Sequence, residues 1–300
     1  MKPYLSYYTA AAYWNIPYIE AVLGSEAHGT STIEFTVSKR SAKYVKKNRT
    51  IYLCELPLPS GAVVSRNGTM VASPELLFLQ LASRLDIHRL ILLGLQLCSH
   101  PPGEASKAIT SKRKLKIFLE KTSGHRGHRK AIRALKYIED GSASVMESMT
   151  YMLLNLPYIL GGYGLGGATF NYEVKLSDEV ALRLGQKRCF VDLYYKSSKV
   201  AVEYDSFAFH NSPLKQGKDA VRSVALKRQS IEVMHLSTIQ LYDKESFKDF
   251  AFILAARLEK RIHIRTKEFE PMNTLLRDLL PTLKADTTRE SRFLGNMEHR

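Results

Sequence analysis

The sequence predicts an α/β protein of the mixed α+β type, with a smaller N-terminal α+β part and a C-terminal mixed sheet flanked by helices. Three observations predict this class. The chain has 300 residues, of which 45% are hydrophobic and 24% charged; this is typical of a globular protein of about two domains and excludes disorder over most of its length. Short strand patterns and two apolar helices fill the region before residue 105. After about residue 131, helical and strand periods alternate.

In the N-terminal part, turn and capping residues separate the predicted elements. Asn67-Gly68 lies between two apolar runs and predicts a hairpin turn. Ser73 at an N-cap position, with Pro74 at the first helical position, predicts the start of a helix. The predicted elements are a helix over Thr9–Tyr13, strands over Thr32–Val37 and Ile51–Cys54, a hairpin within residues 62–72, and helices over residues 74–85 and Arg89–Cys98.

Helices and strands in the C-terminal part follow one another with short connections. The predicted order is helices over Ala131–Glu139 and Ser144–Leu156, strands over Phe170–Lys175, Arg188–Tyr195 and Lys199–Tyr204, a helix over Asp219–Gln229, a strand over Ile231–Ser237 and a helix over Ser246–Ile262. Gly162, Gly164 and Gly167 match a GxGxxG pattern. A dinucleotide-binding loop must follow a strand and open a helix, whereas here a helix precedes and a strand follows, so we interpret the glycines as a helix-to-strand turn.

Composition shifts and the Pro101-Pro102-Gly103 stop predict four segments along the chain. They are a regulatory or DNA-binding α+β domain over residues 1–105, a basic helical linker over residues 106–141, a second folded domain over residues 142–265 and a polar tail over residues 266–300.

The charge balance favours an anionic partner. Lys and Arg number 44 against 29 acidic residues, which gives a net charge of +15, and residues 107–136 concentrate the excess. Nucleic acid is the first expected partner, an acidic membrane surface or protein the second, and a merely soluble basic protein stays open. The candidate nucleic-acid contacts are Lys112, Arg113, Lys114, Arg126, Arg129 and Lys130. A solvated helical face is the alternative for this segment.

Cysteine usage and hydropathy indicate the compartment. Cys54, Cys98 and Cys189 are odd in number and far apart, which argues against a disulfide framework and a zinc ribbon. The apolar runs are too short to span a membrane, and the N-terminus lacks a secretory apolar region. We therefore expect a cytoplasmic protein with no membrane partner.

Two neighbouring strands carry acidic residues among apolar ones. Asp192 interrupts the first strand, and Glu203 and Asp205, two residues apart, project to one face of the second. A tight connection at Ser197-Ser198 would make the strands a hairpin. Clustered buried carboxylates are costly, and a divalent cation such as Mg²⁺ offsets that cost while stabilising charge on a phosphodiester. A structural network with nearby Lys and Arg is the equal alternative.

The flanking residues each have two interpretations. Glu147 either forms a capping box with Ser144 or reaches the metal. Asp219 and Arg222 form a helical ion pair, or Arg222, with Lys227, contacts phosphate. His210 either orients water or is an ordinary loop histidine.

Glu147, Asp192, Glu203-Tyr204-Asp205, His210, Asp219 and Arg222, in this order, resemble the PD-(D/E)XK nuclease superfamily. They are most similar to the restriction-like endonuclease domains related to very-short-patch mismatch repair endonuclease. The resemblance covers roughly residues 142–262 and implies a restriction-endonuclease-like sheet. It also implies a magnesium or manganese ion held by Asp192, Glu203 and Glu147, catalysis by these residues with Asp205 and His210, and a supporting Asp219.

One departure concerns the lysine that ends the superfamily motif, because Asp205 stands at that position. The related mismatch endonuclease also lacks the lysine, and there a nearby histidine serves, which implies the same for His210. Loss of cleavage is equally open.

The N-terminal part resembles AbiEi-like antitoxin proteins of bacterial abortive-infection systems through residues 9–14 and 73–82. This implies a prokaryotic defence or accessory context and a cognate toxin or another protein as partner. The resulting expectation is metal-dependent hydrolysis of DNA. The alternative is a cleavage-incompetent nuclease fold that binds DNA as a regulator or antitoxin.

Overall fold

The computed structural model describes residues 2–24, 32–44, 47–185, 187–205 and 213–282. The fold is mixed α+β, as predicted. The first part contains β1 (Tyr4–Leu5), α1 (Tyr7–Tyr13), α2 (Ile19–Leu23), β2 (Ile33–Val37), β3 (Arg49–Leu53), β4 (Val63–Arg66), β5 (Thr69–Ala72), α3 (Pro74–Leu81), α4 (Ile87–Leu97), α5 (Lys112–Glu120) and α6 (His128–Leu135). The second contains α7 (Val145–Asn155), β6 (Ala168–Lys175), α8 (Asp178–Leu184), β7 (Arg188–Tyr195), β8 (Val200–Asp205), α9 (Pro213–Arg228), β9 (Glu232–Ser237), α10 (Thr238–Tyr242), α11 (Lys244–Arg257) and α12 (Phe269–Arg277).

The N-terminal sheet has the strand order β3-β2-β1-β5-β4 and mixes parallel with antiparallel pairs. Its hairpin β4–β5 turns at Asn67-Gly68, as predicted, where φ is 50° and 74°. Two consecutive positive φ angles suit the right-handed twist of a hairpin, and Asn-Gly is the sequence that tolerates them best. The short β1 and α2 were not predicted.

Two capping side chains begin the helices that follow this sheet. The Ser73 hydroxyl accepts the Leu76 N–H at 3.2 Å and starts α3, as predicted. The Asp86 carboxylate accepts the Arg89 N–H at 2.9 Å and starts α4 two residues before the predicted boundary.

The C-terminal sheet has the order β6-β7-β8-β9, with β6, β7 and β8 antiparallel and β9 parallel to β8. Helices cover both faces. Leu193 of β7 joins the main hydrophobic cluster together with Met149 of α7, whereas Ala201 of β8 joins a smaller cluster with Leu226 of α9. The strand–helix–strand crossover from β8 through α9 to β9 thus brings α9 onto the face opposite α7.

The prediction that residues 106–141 form a linker is wrong. Leu115 of α5 and Ala134 of α6 are fully buried in the main hydrophobic cluster, which also contains residues from both sides of the segment. The basic side chains obscured the helical spacing of these apolar residues, and burial of that face holds the segment in the core.

The predicted tail over residues 266–300 is also incorrect where the structure describes it. Residues 269–277 form α12, which buries Phe269 and Leu276, and Asn273 donates to the Gly161 carbonyl at 2.7 Å. The segment beyond residue 282 lies outside the described residues.

The glycine-rich segment connects a turn of 3-10 helix at Tyr158–Leu160 to β6, which confirms the helix-to-strand interpretation. Gly162 lies against the end of α7. A Cβ atom on it would lie 2.3 Å from the Leu156 carbonyl oxygen, too close for any side chain.

We expect Gly162→Ala to lower the free energy of unfolding by roughly 1–3 kcal/mol, because the added methyl group must displace backbone. Gly217→Ala is the matched control: nothing lies within 4 Å of its added Cβ in α9, so it should stabilise by about 0.5–1 kcal/mol. Urea denaturation measures both, and equal effects of the two changes would contradict the steric argument.

Candidate active site

The predicted acids of β7 and β8 meet where the two strands separate. The antiparallel ladder ends at the pair Leu193 and Val202, and the same register sets Asp192 across from Glu203. The Asp192 carboxylate accepts the Tyr204 N–H at 2.9 Å. The Asp192 side chain therefore accepts a backbone N–H that lies beyond the end of the ladder. Asp192 and Glu203 lie next to each other, as the alternation predicted.

On the other side of Asp192, strand β6 contributes Asn171, which sequence reasoning missed. Asn171 lies opposite Asp192 in the β6–β7 register and has a positive φ of 43°. Its side-chain amide donates to the Glu147 carboxylate at 2.8 Å and to the Gly141 carbonyl at 2.9 Å. The Asn171 amide therefore links the sheet, which carries Asp192 and Glu203, to Glu147 at the start of α7.

Glu147 is buried in the first turn of α7, with 8% of its surface exposed. Its two oxygens accept the Ala143 N–H at 2.9 Å and the Ser144 hydroxyl at 3.0 Å, besides the Asn171 amide. The Ser144 hydroxyl in turn receives the Glu147 N–H at 3.1 Å. The Ser144 N-cap is present, but Glu147 accepts the Ala143 N–H rather than the Ser144 N–H that the predicted capping box requires, and three neutral donors stabilise the carboxylate.

Glu203 has a cationic partner instead. The Arg222 guanidinium of α9 donates to one Glu203 oxygen at 2.7 Å, bonds the other oxygen as well, and reaches the Phe190 carbonyl of β7 at 2.6 Å. The Arg222 side chain is 24% exposed and the Glu203 side chain is 11% exposed. Such a forked pair is strong and directional. The sequence predicts that Arg222 contacts nucleic acid. In this structure its guanidinium instead bonds Glu203 and the Phe190 carbonyl, and so connects α9 to the sheet.

The pKa of Asp192 is raised to about 7. Burial is the largest cause, followed by the Glu147 carboxylate; Glu203 adds a smaller repulsion, while the Tyr204 N–H and Arg222 act in the opposite direction. Burial also raises the pKa of Glu147, and its three donors offset part of the effect. The acids thus interact electrostatically, and within the described residues Glu203 is bonded to a cation whereas Asp192 and Glu147 are not.

Beyond Glu203, a second acid pairs with a histidine that sequence reasoning also missed. The Asp205 carboxylate lies 2.9 Å from Nδ1 of His235, which is the register neighbour of Glu203 on β9. Both side chains are more than half exposed. The alternation in Ile231–Ser237 marked this strand, but only its register with β8 brings the imidazole to the acids. His210 and the side chain of Asp219 lie outside the described residues.

The carboxylate oxygens of the cluster are the type of ligand that a divalent cation binds, but within the described residues they are not arranged as a metal site. Carboxylate oxygens are the ligands that Mg²⁺ prefers, and among the described residues the Asp192 carboxylate accepts one hydrogen bond, from the Tyr204 N–H. Both Glu203 oxygens face Arg222, and among the described residues no three His, Cys, Asp or Glu side chains are grouped closely enough to hold a metal. For Glu203 to serve as a metal ligand, Arg222 would have to release it.

The predicted basic contacts divide into two groups. Lys112 is bonded to Glu139 at 2.6 Å and the Lys130 ammonium to the Leu85 carbonyl at 2.8 Å, so these two hold the fold together. The other side chains are exposed: Arg113, Lys114, Arg126, Arg129 and, in α9, Lys227.

Comparison with known proteins gives no relative. No family model, no curated protein and no solved structure matches the chain. Within the part of the chain that the structure describes, every helix is too short or too polar to cross a membrane.

Because the folded-state pKa of Asp192 lies above its ordinary value of 3.8, the fold loses stability as the pH rises from that value to about 7. Asp192→Asn keeps the group neutral at every pH. In the presence of EDTA, the substitution should therefore stabilise the protein more at pH 8 than at pH 5, by on the order of 2 kcal/mol in the free energy of unfolding.

Chemical denaturation at the two pH values measures this difference. Asp249→Asn, the same change at an exposed carboxylate of α11, should show no such dependence. A pH-independent effect of Asp192→Asn would mean that its carboxyl ionises normally.

Proposed function

We propose that the protein is a metal-dependent DNA endonuclease of the PD-(D/E)XK, restriction-endonuclease-like type, acting on phosphodiester bonds. The observation that carries the proposal is Asp192, a largely buried carboxyl group beside Glu147 and Glu203 that no cation of the described residues bonds. The order α7-β6-β7-β8-α9-β9 (α8 inserted between β6 and β7), with acids on α7, β7 and β8, supports it because this is the arrangement that the resemblance implies.

In this proposal Asp192 and Glu203 hold Mg²⁺ or Mn²⁺, which polarises the phosphodiester and lowers the pKa of bound water. Glu147 contributes negative charge that Asn171 and Ala143 keep in position. If Glu203 served as a ligand to the cation, the Arg222 guanidinium that now bonds it would be free to contact a phosphate oxygen, as the sequence predicted.

Proton transfer from the attacking water needs a base near the acids. The resemblance assigns this to His210. His235, fixed by Asp205 through Nδ1, offers a second imidazole on the same sheet face, and a carboxylate at Nδ1 favours Nε2 as the proton acceptor.

A second candidate is a cleavage-incompetent nuclease fold that binds DNA as a regulator or antitoxin. The Glu203–Arg222 pair favours it, because an internal cation already neutralises this acid and no metal is then required. The exposed basic residues of α5 and α6 serve DNA binding in both candidates. A prokaryotic defence setting and a cognate toxin as partner follow from the N-terminal resemblance, and a cytoplasmic location follows from the cysteine usage and hydropathy; all three stay proposals.

The endonuclease proposal predicts that the purified protein nicks supercoiled plasmid with Mg²⁺ and that Asp192→Asn slows nicking about 100-fold or more, because a ligand and its charge are removed. Mg²⁺ should also raise the melting temperature of the wild type more than that of Asp192→Asn, since binding to the folded state stabilises it.

Asp249→Asn again provides the matched control for both measurements. Equal nicking by wild type and Asp192→Asn would indicate a contaminating nuclease. Salt-sensitive DNA retention without nicking and without the Mg²⁺ effect would favour the binding-only candidate.

Exposed cations of α5 predict a salt-dependent affinity for DNA. Each side chain that neutralises a phosphate contributes about 0.9 to the slope of log K against log salt, so Arg113→Ala with Lys114→Ala should reduce the slope by about 2. Fluorescence anisotropy with a labelled duplex measures the slope.

The control removes the same charge from α11, where Lys244 and Lys248 are paired with Glu270 and Glu245. An equal fall in slope for both double variants would show that net charge, rather than the α5 surface, governs binding.

A further inference from the structure

A groove of about 370 Å³ lies between the N-terminal sheet and the segment that leads into α7. The residues that line it include the aromatic Trp14, the basic Arg66, His100 and Lys107, and the small Ser99 and Ala143. The groove is separate from the carboxylates and from the exposed basic surface of α5 and α6.

Trp14 is half-buried at the wall of this groove and is fixed in orientation. Its indole N–H donates to the Ala72 carbonyl at 2.8 Å, and the Arg66 guanidinium carbon lies 4.9 Å from the ring centroid. The Tyr13 hydroxyl donates to the Arg66 carbonyl at 2.6 Å and so holds the backbone of the arginine. An indole and a guanidinium plane held together in advance form a surface on which a flat ring can stack.

The charge of the groove selects an anion. Arg66, Lys107 and His100 are basic, and none of the residues that line it is acidic. Lys107 forms an exposed ion pair with Glu104, of the kind that a phosphate displaces at little cost. A ligand that is both flat and anionic suits this combination.

One residue that lines the groove also contacts the carboxylate cluster. Ala143 lines the groove, and its N–H donates to Glu147 at 2.9 Å. His100 lies against Gly141, where an added Cβ would come within 3.3 Å of its Nε2, and the Gly141 carbonyl accepts the Asn171 amide. Only the short segment of residues 141–147 therefore separates a molecule in the groove from the carboxylate cluster.

We propose that this groove binds an unpaired nucleotide of a nucleic-acid strand, with the base stacked on Trp14 and Arg66 and the phosphate near Lys107 and His100. The proposal deepens the proposed function, on which it rests, because it names single-stranded or flipped-out nucleic acid as the form recognised beside the carboxylates. Base stacking on aromatic side chains is tolerant of sequence, so the groove reads strand structure rather than base identity.

Trp14 is the single tryptophan of the chain, so its emission reports on the groove directly. In EDTA and at low salt, a ten-nucleotide thymidine oligomer should quench the emission in a saturable manner. A blunt duplex and free thymidine monophosphate should quench it only at much higher concentration. EDTA separates this test from metal binding and cleavage.

Variants measured by anisotropy with a labelled oligomer complete the test. Trp14→Ala should weaken single-strand binding about 5- to 100-fold, and Trp14→Phe, which keeps an aromatic face if the alanine variant does not fold, should weaken it less. Arg66→Met and Lys107→Met should each weaken it several-fold. Arg49→Met is the matched control, because Arg49 makes the same kind of contact with Phe35, at 5.0 Å, outside the groove.

Quenching by the oligomer, together with weaker binding in the Arg66 and Lys107 variants, supports the proposal, whether or not the protein cleaves DNA. Binding of the oligomer without any change in emission, or an equal effect of Arg49→Met, overturns it. Quenching by the free monophosphate at concentrations as low as by the oligomer also overturns it, and would assign the groove to a free nucleotide.

Discussion

Crowding of negative charge at the point where β7 and β8 separate is the constraint on which the C-terminal half depends. Glu147, Asp192 and Glu203 come together there with one guanidinium between them. Each acid is stabilised differently: Glu147 by three neutral donors, Glu203 by Arg222 and Asp192 by one N–H. Because burying a charge without a partner is costly, the pKa is raised for both Glu147 and Asp192, and it reaches about 7 at Asp192.

The architecture explains why the cluster is held together rather than pushed apart. Helices α7 and α9 lie on opposite faces of the sheet, and each anchors one acid from its own side, through the Glu147 cap and through Arg222. Apolar packing of both helices provides the free energy that holds the carboxylates near one another. A site that is electrostatically unfavourable by itself is thus maintained by the hydrophobic cores on either side of it.

Local pattern was sufficient for most of the fold and for the acids on the strands. Alternation gave the bounds of β7, and the two-residue spacing of Glu203 and Asp205 gave their common face. What the pattern could not give depends on register and tertiary contact. Asn171 is a polar residue with positive φ inside a strand, and Glu203, which Arg222 bonds, lies 19 residues back in the chain. The buried faces of α5 and α6 were hidden for a different reason, since Lys and Arg are interspersed among the apolar positions and make up four of the nine residues of α5 and three of the eight of α6.

The segment of residues 141–147 is where the two halves of the molecule depend on each other. On one side, the Gly141 carbonyl and Glu147 bond the Asn171 amide and so help to hold the acids. On the other side, Ala143 lines the groove beside Trp14, and Gly141 lies against His100, which also lines it. The Ala143 N–H is one of the three donors that offset the charge of Glu147. Because Glu147 is the strongest charge acting on Asp192, the residue that lines the groove also supports the electrostatics of the carboxylate cluster through a single peptide group.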